Sequence, residues 1–137
     1  MIPLPAAPHQ PGRTPRPDPA LFAGLSGPEA LAAGLQAFRR GYFWEAHECW
    51  ERIWAALPPA SAEREVMRGA IQLANAGLKH RMGRPAARDR ILALATAALH
   101  EGERRGARVA GLDPGGLQAD LDSFLQNNAL FTPESPR

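Results

Sequence analysis

Proline divides this chain more sharply than any other residue. Seven of its 14 prolines fall in the first 25 residues, and the next ones after Pro28 are Pro58, Pro59, Pro85 and Pro114. A proline lacks the N–H that a helix or sheet ladder needs and clashes with the preceding helical turn, so residues 1–25 are barred from regular structure and are expected to form an extended or disordered arm. The stretches between the later prolines each carry apolar residues at helical spacing. Ser26 and Pro28 start the first helix, which continues through Leu31, Leu35 and Phe38 and closes at Gly41. A second runs from Tyr42 to Leu57 and stops at Pro58 and Pro59. A third opens at Ser61, continues to Met82 and ends with Gly83. The fourth runs from Pro85 to Arg105, and the fifth begins at Asp113 and Pro114 and carries Leu117, Leu121, Phe124 and Leu125 on one stripe. No segment alternates apolar and polar residues long enough to propose a strand. The expectation is an all-α fold, a single compact bundle of about five helices over residues 26–126, with residues 127–137 as a C-terminal tail.

A chain of 137 residues suits one hydrophobic core. The longest apolar run, Ile91 to Leu99, is about half of what a bilayer span requires, and Pro3, Pro5 and Pro8 interrupt any signal-type apolar segment. No membrane partner is expected, and the chain is placed in the cytoplasm. A lone cysteine, Cys49, gives no internal disulfide and no Cys-pair zinc site. The formal charge of +2 is small but unevenly spread. Residues 29–65 hold six acids against four arginines, and residues 68–108 hold nine basic residues against Asp89, Glu101 and Glu103. No aromatic residue lies between Met67 and Arg108 to stack on a base. The basic half therefore reads as a solvated face, and nucleic acid is not the expected partner. A contact with nucleic acid or an acidic protein through Arg81, Arg84, Arg88 and Arg90 is the weakest of three readings, and homo-oligomerisation stays open.

The second helix carries most of the chemistry. At about 100° per residue, Tyr42, Phe43, Ala46, Trp50, Ile53, Trp54 and Leu57 share an arc of roughly 120°, which is the expected core face. His47 and then Glu51 follow at its rim, while Glu48, Arg52 and Glu45 are expected to turn progressively away. Residues four apart are neighbours on a helix, so the His47 imidazole and the Glu51 carboxylate reach each other or a common third group. They are two of the ligand types that a divalent metal accepts. The same residues serve equally as a hydrogen-bonded pair that closes the core edge. Position 51 is a glutamate where a zinc-protease motif requires a second histidine, so that chemistry is set aside. On the third helix Arg68, Gln72, Asn75 and Lys79 form a polar stripe, and Ala70, Ala74 and Gly77 form a small-residue side. Gln72 and His80, with Glu48, are the candidates for completing a site around His47 and Glu51.

Gly41, Tyr42, Phe43, Glu45, Ala46, His47, Glu48, Glu51 and Trp54 together resemble the His-x-x-x-Glu-x-x-Trp signature of the family called domain of unknown function 309. Gly69, Ile71, Gln72, Leu73 and Ala74, followed by His80 and Gly83, are similar to its second block. The resemblance implies a small helical bundle, a metal-binding role for His47 and Glu51, and a packing role for Trp54. It implies neither a substrate nor an enzymatic activity. Two functions follow as expectations. One is a site for a divalent metal of unassigned identity or a small polar ligand at His47 and Glu51. The other is a structural or protein-interaction module in which those residues only close the core.

Overall fold

The computed structural model describes residues 3–127, so residues 128–137, nearly all of the expected tail, lie outside it. A single 3-10 turn, Pro19–Phe22, precedes five helices: α1 Gly27–Arg39, α2 Phe43–Ala56, α3 Ala62–Arg81, α4 Pro85–Arg104 and α5 Pro114–Asn127. Among the described residues there is no strand, as the absence of alternation predicts. None of the described helices is long and apolar enough to cross a membrane.

Local chemistry sets the helix ends. The Ser26 hydroxyl accepts from the Glu29 N–H at 3.2 Å while the Glu29 carboxylate accepts from the Ser26 N–H at 2.8 Å, a reciprocal cap with Pro28 inside the first turn. Ser61 caps α3 by accepting from the Arg64 N–H at 3.1 Å. Gly41 turns the chain out of α1 at φ +80, a conformation that penalises any residue with a Cβ. A side chain there would also meet the Arg81 guanidinium at 2.6 Å. α2 differs from these, because Tyr42 at its N-terminus makes no side-chain cap. Burial must hold its first turn.

α3 occupies the middle of the bundle, packed against α2, α4 and α5, with α1 laid on α2. Phe38, Phe43, Trp50, Met67, Leu73, Leu99, Leu117 and Leu121 fill the space between them. Each of these large side chains contributes about 1.5–3 kcal/mol by leaving water. α3 is approached closely on two sides: by α2 at Gly77, on the expected small-residue side, and by α4 at Gly69, outside it. A Cβ on Gly77 would lie 2.7 Å from the Phe43 ring, and one on Gly69 would lie 2.6 Å from Leu99.

The core face of α2 departs from the helical-phase expectation. Phe43, Ala46 and Trp50 are buried as expected, but so are Trp44, Glu45 and Cys49, while Ile53, Trp54 and Leu57 are only partly covered. For Trp44 and Glu45 the cause is the N-terminal segment. Pro5 accepts a hydrogen bond from the Tyr42 hydroxyl at 2.8 Å, and the His9 N–H donates to Glu45 Oε2 at 2.9 Å. Buried Phe22 packs edge-on against Trp44. Pro5, His9 and Phe22 therefore lie against the first turns of α2 and cover positions that a lone helix would leave in water.

Candidate metal centre

His47 sits one turn into α2, and its ring is fixed from behind. Nδ1 lies 2.8 Å from the Trp44 carbonyl oxygen one turn earlier. A carbonyl can only accept, so Nδ1 carries the proton and Nε2 presents either a lone pair or a second proton. Nε2 faces two carboxylates, Glu48 Oε2 at 3.5 Å and Glu51 Oε2 at 3.6 Å. The three ligand atoms lie within 4.8 Å of one another. The His47 side chain is 16% exposed, that of Glu48 27% and that of Glu51 51%, so the cluster opens outward through Glu51.

A neutral imidazole lone pair aimed at two carboxylates is repulsive unless a positive charge lies between them. A proton or a metal cation supplies that charge. Ligand atoms about 2.1 Å from a tetrahedral zinc stand roughly 3.4 Å apart, close to both separations found here. One imidazole and two carboxylates also match the donor preferences of manganese and iron. The residues present therefore fit a divalent cation, and the Trp44 carbonyl plays the orienting part that a metal-bound imidazole normally requires of its second nitrogen.

The other expected site residues are held elsewhere. Trp54 docks on α3, where the Arg64 guanidinium lies 4.0 Å from its ring and Arg64 Nε donates to its carbonyl at 3.1 Å. Gln72 accepts from the Asn75 amide at 3.5 Å, one turn along the α3 stripe. His80 is buried where α3 meets α4 and α5: Arg88 donates to its Nδ1 at 2.9 Å, and Phe124 lies edge-on at 6.2 Å. It is not part of the His47 cluster. Of the candidates for completing the site, Glu48 is the one brought to His47 and Glu51.

Two of the arginines in the basic-patch reading are turned inward. Arg81 donates to the Gly41 carbonyl at 3.0 Å and lies over the Phe124 ring at 5.2 Å, and Arg88 divides its donors between His80 and Asp89. Burial pulls the Arg81 guanidinium below its ordinary pKa, partly offset by the negative charge of Glu45. These contacts reduce the basic surface on which that reading depends.

Residue-by-residue reading missed Trp44 and Glu45. Glu45 is fully buried, and its Oε1 has no partner from another described residue. Burial holds its carboxyl above the usual range, against the His9 N–H, its own backbone amide and the charge of Arg81. The available signal was Leu21 and Phe22 at the end of the proline segment, large apolar residues that need a surface to cover. Burial also pushes the Cys49 thiol up to about 11, so at neutral pH it carries its proton.

No curated protein and no solved structure matches the chain. Residues 31–91, which run from α1 through α2 and α3 into α4, match the model of the family described as Domain of unknown function (DUF309). That span contains His47, Glu48 and Glu51 together with the helix packed behind them. Over residues 31–91 the chain is similar to this family, the same one that its two motif blocks resemble.

Proposed function

We propose that this chain binds a divalent metal ion through His47 Nε2 and the carboxylates of Glu48 and Glu51. The supporting observation is that Nδ1 is committed to the Trp44 carbonyl, which leaves Nε2 facing both acids at 3.5 and 3.6 Å. Three ligands from one helix leave coordination positions open toward the half-exposed side of Glu51, where water or a small polar ligand completes the shell. A metal held this way would polarise whatever oxygen or nitrogen group occupies those positions.

A second reading is favoured by the same separations, which also suit an imidazolium between two carboxylates. On that reading His47 and Glu51 close the core edge beside Trp50 and Trp54, and the domain is a structural or protein-interaction module. Thermal melting of protein stripped of metal separates the two. Under the metal reading, zinc, manganese or ferrous iron at about 100 times its dissociation constant raises the melting temperature on the order of 10 °C, through a stabilisation of about 2.7 kcal/mol. A chelator reverses the rise, and His47→Ala abolishes it. A His47→Ala loss of stability that is the same with and without metal establishes the structural reading instead.

A further inference from the structure

The metal reading leaves unexplained why the proline-rich segment is fastened to the same turn that orients His47. Three of its side chains surround Trp44. The His9 ring meets it edge-on at 4.6 Å, Phe22 lies at 6.0 Å, and the Arg16 guanidinium lies 5.6 Å from the indole. Two nearby positions are tied as well, Tyr42 to the Pro5 carbonyl and Glu45 to the His9 N–H. Trp44 in turn holds His47 through its carbonyl at 2.8 Å and lies edge-on to the imidazole at 6.0 Å. Because α2 has no side-chain cap, tertiary contacts help to fix this turn, and the arm supplies several of them.

We propose that arm docking and metal occupancy are coupled. The docked arm holds Trp44 where its carbonyl directs Nε2 toward Glu48 and Glu51, and a divalent cation bound there tightens the arm in return. This rests on the metal reading and adds the regulation of that site. Whatever lifts residues 3–22 from α2 weakens the metal. Gly24, at φ +77 between the 3-10 turn and α1, is a place where the chain bends as the arm leaves. Coupling between two sites is reciprocal, so the effect is measurable from either end.

The full chain and zinc alone are sufficient for the test. Zinc affinity is measured by competition with a chromophoric chelator for the unaltered protein, for Tyr42→Phe, which removes the bond to Pro5, and for His9→Pro, which removes the N–H given to Glu45. In parallel, trypsin cleavage after exposed Arg13 is followed by mass with and without zinc. Cleavage after Arg108 in the α4–α5 connection serves as the internal reference. Zinc is expected to slow the Arg13 cut relative to the Arg108 cut by about fivefold or more, the lower end of ordinary site–site coupling, provided arm opening is fast relative to cleavage. His47→Ala should lose this protection, and both arm variants should weaken zinc by a similar factor. If zinc binds but the relative Arg13 rate and both variant affinities are unchanged, the coupling is overturned while the metal site stands. If protection survives in His47→Ala, the ion acts elsewhere and the coupling falls. If zinc does not bind the unaltered protein at all, the metal reading fails and the coupling with it.

Discussion

Glu45 is completely enclosed, although its position on the α2 helical wheel turns it away from the apolar arc. Burial favours its neutral form, so the folded protein holds that proton to higher pH than the unfolded chain does. The corresponding stability is fully present below the unfolded carboxyl pKa and is lost as pH rises through the raised folded value. Glu45→Gln is neutral throughout and lacks this dependence. Urea unfolding of both proteins between pH 4 and 8 should therefore show the variant gaining on the native chain as pH increases; parallel stability curves would contradict the assignment. At this scale the sequence is informative about His47 and Glu51, because both belong to one helix and their angular relation follows from winding alone. Glu45 was not legible. Its burial is decided by His9, 36 residues away, and nothing periodic in α2 records that contact.

At the scale of elements, the helices were readable because their ends are written in residues with few conformational options: Ser26 with Glu29, Ser61, Gly41, Gly83 and Pro85. The interior glycines carry a different message. Gly77 lies within α3, where alanine would ordinarily stabilise by up to about 1 kcal/mol. A methyl there would sit 2.7 Å from the Phe43 ring, which is itself enclosed by Phe38 and Phe124. Gly77→Ala is expected to cost about 1–3 kcal/mol through overpacking. Gly115 in the first turn of α5 has its nearest neighbour at 3.8 Å, and Gly115→Ala should be neutral or stabilising by up to about 1 kcal/mol. Denaturant midpoints of the two variants check the contrast; equal effects would mean that α2 and α3 do not approach as closely as described.

For the molecule as a whole, α3 supplies the platform. One side receives Phe43 from α2, another receives Leu99 from α4, and the arm packs against α2. A bundle was legible in the connection lengths and helical stripes, since short links between amphipathic helices leave few other ways to bury those faces. The arm's path was not, because proline content argues against long helices and strands without saying whether a segment packs, and Pro19 even opens the short 3-10 turn that ends at Phe22. The functional account rests on the state of a single imidazole, with the Nδ1 proton held by the Trp44 carbonyl and Nε2 available to a cation. Long-range 1H–15N correlation spectra of the His47 ring during a zinc titration read that state directly. The account predicts a protonated Nδ1 before and after zinc, with the large change on metal addition confined to Nε2. A neutral ring protonated at Nε2, or a His47 ring indifferent to zinc, would contradict it.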